Sequence, residues 1–308
     1  MEKSSVREIR IWLKFLRQRA MKAFVNHSHL PKGLEIFSLE EAKELFPLFF
    51  EGEPREIDGF LFVPKNFSSR ESVRITEPGK YEVYLSKGAQ LNWVFHPSRE
   101  GSFELKAYLE DQAFLQRATI VEKKGVVDLK THYTVKKGAR VLHVGWVEAV
   151  GKLLETVTAS IEGERAEVDL RGGWHLCERE TIGVSVLVEH KAPLARSNQL
   201  FKGVVRESAR SSFEGSIYVA KGADKTESFQ KNSNVVFDHA QAKTSPGIQV
   251  FHDDVKASHG ATVAKPSKED QFYLLSRGFS EERAKEILID SFLGEIKGAL
   301  SKILEGSV

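Results

Sequence analysis

The chain has 308 residues, of which 41% are hydrophobic and 29% are charged, with 45 Lys and Arg against 43 Asp and Glu. This composition excludes wholesale disorder, and a formal net charge of +2 gives no reason to expect nucleic-acid binding. A single cysteine, Cys177, excludes an internal disulfide and a zinc site of four thiolates, and the sequence leaves its role open. No apolar run approaches the ~20 residues of a membrane span. The charged amino terminus lacks a signal-peptide core, so we expect a cytoplasmic protein that binds no membrane.

Residues 1–54 have the periodicity of helices. Apolar residues recur at three- and four-residue steps between Val6 and Phe24, which predicts an amphipathic helix with basic residues on its other faces. Ser38 begins a capping box that predicts a second short helix, which ends at Pro47. The sequence does not indicate what the first helix contacts.

In residues 55–264 apolar and polar residues alternate, as in Val127–Val135 and Ile182–Val188. This alternation predicts β-strands. Similar turns separate several of these runs, in Lys87–Ala89, Lys137–Ala139 and Lys221–Ala223. About two hundred residues of short strands without a helical stripe argue against alternating strands and helices. A sandwich, a barrel and a β-solenoid remain possible, because the glycine spacing is too irregular to establish a repeat.

Residues 265–308 are predicted to be helical again. Ser267 is placed to cap a first helix, with acidic residues in its first turn, and Gly278 is a natural end for that helix. Ser280 is placed to cap a second, longer helix.

An apolar stripe runs along the second helix from Ile289 to Leu304 and is long enough to serve as a docking surface. Gly294 and Gly298 interrupt the helix, and each costs about 1 kcal/mol relative to alanine. We therefore expect another element to pack closely against these two glycines.

The residues most suited to chemistry lie between positions 238 and 263. Imidazole and carboxylate groups of the kind that bind iron or zinc recur there, namely His239, His252, Asp254 and His259. On a straight strand, His259 shares a face with small apolar residues, so we expect a restricted environment that lowers its pKa. Gly260 would permit close approach of another backbone. A purely structural histidine remains the alternative.

The segment Phe251–Val263, followed by Glu269–Gly278, resembles the carboxy-terminal signature of the SufB/SufD proteins. These are the paired scaffold components of the Suf iron–sulfur cluster assembly machinery. Weaker matches follow in the same order as in the family, at Asp58–Pro64, Asn232–Asn234 and Lys243–Pro246. The resemblance implies a mainly β protein with a right-handed parallel β-helix, or β-solenoid, at 55–264. Helical segments at 1–54 and 265–308 would flank this core.

The resemblance also implies partners. It indicates a non-enzymatic scaffold that pairs near the carboxy end of its β-helix with a SufB/SufD paralogue or with a second copy of itself. The helices that follow would bind SufC, an ABC-type ATPase, and the ATP-driven motion would come from that partner because this chain has no nucleotide motif. The residues expected at the ATPase contact are Phe272, Arg277, Ile289, Phe292 and Leu293.

The functional histidine of the family falls on His259, and Gly260 after it is the SufD-like form. SufD-like members often have a cysteine two residues earlier, where this chain has Ala257, and no cysteine lies between residues 229 and 263. We therefore expect no tightly bound cofactor. Iron or an iron–sulfur cluster would reside transiently at a shared interface, with candidate ligands His259, His252, Asp254 and His239.

Two other classes of protein were weighed against this one. A β-helix carbohydrate-active enzyme would need grouped carboxylates, whereas Asp253 and Asp254 are expected to be adjacent on a strand and to point to opposite faces. A stand-alone metal-binding β protein of the cupin type would need a His-x-His motif on a strand. The one match, His27–His29, lies outside the predicted strand region.

Overall fold

The computed structural model describes residues 35–37, 59–68, 72–122 and 125–305, which form two sheets and two helices. Strands are numbered in chain order. The nine-stranded sheet A contains, in spatial order, β1 Glu35–Phe37, β2 Gly59–Val63, β4 Gly79–Leu85, β6 Gly101–Leu109, β8 Val126–Val135, β10 Lys152–Ile161, β12 Thr181–His190, β14 Arg210–Val219 and β16 Gln241–Val250. The eight-stranded sheet B contains β3 Ser72–Ile75, β5 Gln90–Phe95, β7 Phe114–Val121, β9 Arg140–Glu148, β11 Glu167–Leu176, β13 Arg196–Val205, β15 Glu227–Val236 and β17 Lys256–Ala264.

From β2 onward the chain alternates between the two sheets, and strands two positions apart pair in parallel. Hydrogen-bonded side chains on successive coils are 26, 29 or 31 residues apart in sequence. This architecture is a parallel β-solenoid, which confirms the expected fold class and excludes the sandwich and the barrel. The variable coil length explains why the glycine spacing shows no strict repeat.

The interior of the solenoid is built from alternate residues of the strands between the first and the last coil. In β8 and β12 the predicted alternation is confirmed, since every second residue is buried. Lys-Gly-Ala turns form corners between coils. Gly88 and Gly138 have φ of +69° and +62°, which favours glycine, and the alanines after them are fully buried.

Two helices follow the last strand, α1 Lys268–Ser276 and α2 Glu281–Leu304. Both predicted caps are confirmed, because Ser267 Oγ accepts a hydrogen bond from Asp270 N–H at 3.1 Å and Ser280 Oγ accepts one from Arg283 N–H at 3.2 Å. Gly278, at φ +88°, lies directly after the C-cap of α1, as predicted. No helix in the described ranges is long and apolar enough to cross a membrane.

Helix α2 packs against the outward face of sheet B, over β7, β9, β11 and β13. Its buried apolar side chains form a second core with apolar residues of the sheet, and this core includes Ile289, Leu293, Ile296, Leu300, Val144, Trp146 and Val204. The expectation of close packing at Gly294 and Gly298 is wrong. A Cβ atom at either position would meet no atom within 4 Å, because both glycines face away from the solenoid.

Within residues 1–54, which were predicted to be helical, the structure describes only three residues. Glu35–Phe37 is not helical but forms β1, which pairs antiparallel with β2 and completes the backbone hydrogen bonds of that edge. This strand lies between Gly33 and Ser38, where the helical pattern is interrupted. The helices predicted at Val6–Phe24 and from Ser38 lie outside the described residues. The domain boundaries after residues 54 and 264 remain predictions.

Candidate functional site

The carboxy-terminal end of the solenoid is open. Strands β16 and β17 are the last strands of their sheets in the described chain, and each is hydrogen-bonded along one edge only. Almost every residue of β17 is exposed, including those on its inward face, because no further coil covers it in the described part of the chain. An uncovered strand edge with exposed side chains is a template for pairing with another chain.

His259 lies on the inward face of this last coil. The parallel register aligns it with Gln230 on β15, and Gln230 aligns with Gln199 on β13. Residues aligned in this way point to the same side of a sheet, and both glutamines are buried. His259 is nevertheless exposed, so the prediction of a restricted apolar environment for its ring is wrong. The alternation of residues correctly placed His259 on the inward face of β17, but no coil covers that face in the described part of the chain.

Buried polar side chains fill the coils next to this end. Gln230 donates a hydrogen bond to Gln199 at 2.8 Å, and the Asn234 amide donates to Asn232 Oδ1 at 2.7 Å. The sequence analysis did not identify this polar interior as a feature. The signal was present in β15, where four alternate residues are polar and buried, namely Ser228, Gln230, Asn232 and Asn234.

A second chain of hydrogen bonds crosses the same coils. His190 Nε2 lies 2.9 Å from Ser197 Oγ, which in turn lies 2.7 Å from Ser228 Oγ. Burial lowers the pKa of His190 to about 4, so its imidazole is neutral at physiological pH. Nε2 of His190 and the two serine hydroxyls are paired in this way, whereas His190 Nδ1 is buried without a hydrogen-bond partner among the described residues.

His252 and Asp254 lie together at the corner between β16 and β17. His252 Nε2 is 2.7 Å from Asp224 Oδ1, and the Asp254 N–H donates to His252 Nδ1 at 3.3 Å. Both ring nitrogens are therefore engaged. Asp253 and Asp254 form a bend rather than part of a strand, so the earlier assumption that they lie on opposite faces of a strand is wrong.

His239 lies apart from the other candidate ligands. It follows β15, at the start of β16, whereas His252 follows the end of β16. A ten-residue strand separates the two, which corresponds to roughly 30 Å. The four predicted ligands therefore do not meet at one site within a single chain. No group of three or more His, Cys, Asp or Glu that could hold a metal ion occurs in the described ranges.

Helix α1 presents an apolar surface to solvent and has no buried residue of its own. Phe272 is 72% exposed, and the Arg277 guanidinium lies 5.1 Å from the centre of the Tyr273 ring. Leu275 and Phe279 extend the same exposed apolar surface. The sequence analysis identified Phe272 and Arg277 but missed the other three. Among the described elements, none covers Phe272, Tyr273 or Leu275 of α1.

Ile289 and Leu293 are buried against sheet B, so they cannot contact a docked protein while α2 stays in place. Their predicted role at a partner surface is corrected to that of anchors for α2. Phe292 is half-buried, and the Lys202 ammonium lies 5.5 Å from its ring centre. Beside Phe292, a cleft of about 310 Å³ separates the helices from the solenoid.

Comparison with known proteins identifies the family. The family described as "SUF system FeS cluster assembly, SufBD core domain" matches residues 76–292, which is well over half of the chain. The chain belongs to the SufBD family. The match covers the solenoid from the end of β3, all of α1 and half of α2, so it includes both the open end and the exposed helix.

Several SufBD proteins are similar to parts of the chain. The iron–sulfur cluster assembly protein SufD of Escherichia coli is 32% identical over 149 residues, which are 48% of this chain and 35% of that protein. A SufBD family protein of Synechocystis is 41% identical over 105 residues, or 34% of this chain and 23% of its own length. One from Mycobacterium leprae is 28% identical over 181 residues, which cover 56% of this chain and 43% of that protein. The matched part is thus less than half the length of each relative.

Cys177 lies outside the open end of this SufBD solenoid, in the corner after β11. Its Sγ is 3.8 Å from His175 Nε2, and its N–H donates to the Glu180 carboxylate at 2.8 Å. Burial raises the pKa of the thiol and lowers the pKa of His175, so both groups are held in their neutral forms. A neutral thiol is a poor nucleophile, which argues against a catalytic role for this pair.

Proposed function

We propose that this chain is a non-enzymatic scaffold subunit of a Suf-type iron–sulfur cluster assembly complex. It pairs through the open end of its solenoid and binds a SufC-like ABC-type ATPase through its carboxy-terminal helices. The observation that carries the proposal is the uncovered last coil, where His259 ends an inward column of buried glutamines and lies beside a free strand edge. Membership of the SufBD family supports the same role.

The pairing partner is a SufB/SufD paralogue or a second copy of this chain. The open end offers unpaired backbone groups on β16 and β17, and exposed apolar side chains surround them, namely Val250, Phe251 and Val263. Phe251 is 59% exposed and packs only against Tyr218, with 5.4 Å between the ring centres. A second scaffold subunit would continue both sheets and cover these side chains.

Iron or a nascent cluster is the cargo at this interface. His259 would provide an imidazole ligand from the inward face, and His252 and Asp254 lie at the adjacent corner. One chain does not supply a complete set of ligands, so sulfide or a thiolate of the partner would complete it. His239 lies at the far end of β16 and is not part of the proposed site.

The ATPase contact is assigned to α1 and the turn after it. Phe272, Tyr273, Leu275 and Phe279 are exposed there, and no described element covers them. The exposed part of Phe292 and the adjoining cleft continue this surface toward α2. Exposed apolar surface of this kind is typical of a protein interface, with Arg277 as a polar anchor at its edge.

Co-purification tests the docking surface. A tagged full-length chain is expressed with the SufC-like ATPase, and Phe272→Ser combined with Phe279→Ser is expected to abolish capture of the ATPase without changing the circular dichroism spectrum. Leu154→Ser is the matched control. Leu154 is an apolar residue about as exposed as Phe279, but it lies on β10 in sheet A, whereas α2 packs against sheet B. Unchanged capture by the double variant would refute docking through α1.

A maturation assay tests the open end. His259→Ala is expected to reduce assembly of clusters in cells that lack the native gene while leaving thermal stability unchanged, since the side chain is exposed. His239→Ala is the control, as an exposed histidine distant from the proposed site. Normal maturation with His259→Ala would remove this histidine from the mechanism.

A further inference from the structure

Arg117 on β7 is fully buried inside the solenoid, far from the open end. One nitrogen, Nη1, donates to Thr131 Oγ1 at 2.8 Å and to Tyr133 Oη at 3.1 Å. The guanidinium carbon lies 5.5 Å from the centre of the Trp93 ring and 5.6 Å from that of Phe95. Arg117 forms no ion pair with a carboxylate in the described part of the chain.

A buried guanidinium keeps its positive charge, because its pKa is too high for it to lose a proton. Hydroxyl groups and aromatic rings reduce the cost of burial but do not neutralise the charge. A compensating negative charge is therefore required close to Arg117.

The other edge of Arg117 indicates where that charge would bind. Its Nε and Nη2 atoms are both buried and have no hydrogen-bond partner among the described residues. These two N–H groups form a fork that suits one acceptor or a bidentate acceptor. Arg171 uses the same edge on the protein surface to hold Asp169, with distances of 3.0 Å from Nε and 2.6 Å from Nη2.

The titratable groups near Arg117 in the interior are Glu155, His143 and Tyr133. Burial raises the pKa of Glu155 while the charge of Arg117 opposes that rise, and the Glu155 Oε1 atom has no described partner. Burial, with a contribution from Arg117, holds the pKa of His143 well below its usual value, and His143 Nε2 lies 2.8 Å from Thr119 Oγ1. The Glu155 carboxyl makes no hydrogen bond or ion pair with Arg117 among the described residues, so it does not occupy the Nε and Nη2 edge.

We propose that the Nε and Nη2 edge of Arg117 binds a small monovalent inorganic anion of halide type inside the solenoid. The site lies among buried side chains, including the rings of Trp93 and Tyr133. The anion would balance the charge of the guanidinium, as a buried site requires. The site is separate from the proposed cluster and ATPase surfaces and does not depend on either.

Crystals of the full chain grown in sodium bromide and measured at the bromine absorption edge test the proposal. An anomalous peak within hydrogen-bond reach of Arg117 Nε and Nη2 is the expected result. Density at that position without anomalous signal would indicate a water molecule that bridges Arg117 to an ionised Glu155, and this result would overturn the proposal.

Thermal unfolding gives an independent measurement. The midpoint is expected to rise with bromide concentration at constant ionic strength, because a ligand that binds only the folded state stabilises it. This dependence should be lost in Arg117→Met and kept in Arg140→Met, which removes an exposed arginine. Glu155→Gln should keep it, because the anion rather than Glu155 is proposed to balance the charge of Arg117. A dependence that appears only in Glu155→Gln would show that Glu155 is the counterion. If Arg117→Met does not fold, the bromide crystals decide the question.

Discussion

The replacement of Gly203 by alanine tests the packing of the solenoid interior directly. Gly203 lies on an inward column between Trp174 and Asn234, and all three residues are buried. A Cβ atom would lie 2.0 Å from Trp174 Nε1 and 2.3 Å from Asn234 Oδ1, far inside contact distance. Neither neighbour can move into solvent, and a shift of Asn234 would break its hydrogen bond to Asn232.

Overpacking of a buried site costs about 1–3 kcal/mol. Because two rigid neighbours are affected, we expect the upper end of that range, about 3 kcal/mol, which corresponds to a fall in Tm of roughly 6–12 °C. Urea unfolding followed by tryptophan fluorescence, together with thermal unfolding by circular dichroism, measures the change. Gly294→Ala is the control. It adds the same methyl group where no atom lies within 4 Å, and it should stabilise the helix by about 0.5–1 kcal/mol. A Gly203→Ala variant as stable as the parent would refute this account of the interior.

Three further predictions concern other parts of the chain. Leu293→Ala should cost about 2–5 kcal/mol in urea unfolding and expose α2 to hydrogen exchange, and unchanged exchange would contradict its anchoring role. The lowered pKa of His190, about 4, means that the unfolded chain binds more protons between pH 4 and about 6.5. Stability should therefore fall as the pH drops through this window, and His190→Gln should remove about 3 kcal/mol of that loss, as measured by urea unfolding at each pH. Gly260→Val should leave the stability of the isolated chain within about 0.5 kcal/mol but weaken its self-association or its association with a paralogue in sedimentation experiments. Equal association by variant and parent would argue against pairing along β17.

The strand alternation of the sequence was enough to identify which residues point inward, as in Ile182–Val188. It could not choose between a sandwich, a barrel and a solenoid, because alternation specifies the face of a strand but not its neighbours. Because the corners differ in length, the sequence has no constant repeat length, which would have indicated a solenoid. The resemblance to the SufB/SufD family therefore carried the choice of architecture, which the parallel register of β8, β10 and β12 confirms.

The sequence was enough to predict which residues are candidates for the site, but not how exposed they are or what surrounds them. The strand pattern placed His259 on an inward face, yet it could not reveal that β17 belongs to the last coil. The same limit applies to α2, where periodicity found the apolar stripe but not the sheet that covers it. For this reason Ile289 and Leu293 were assigned to a partner surface, although both are buried and the apolar side chains of Phe272 and Leu275 on α1 are exposed.

His190 and His259 show how position in the solenoid separates stability from assembly. His190 is buried and hydrogen-bonded to Ser197 within the chain, so its replacement should change the stability of the isolated protein. His259 has no side-chain hydrogen bond within the described ranges, and its aligned neighbour Gln230 is already bonded to Gln199. Under the proposed function, a partner of the His259 ring would come from a second subunit or from cargo. A variant at His259 that unfolds the isolated chain would contradict this distinction, whereas one that folds normally but fails to pair or to support cluster assembly would place its function in the complex.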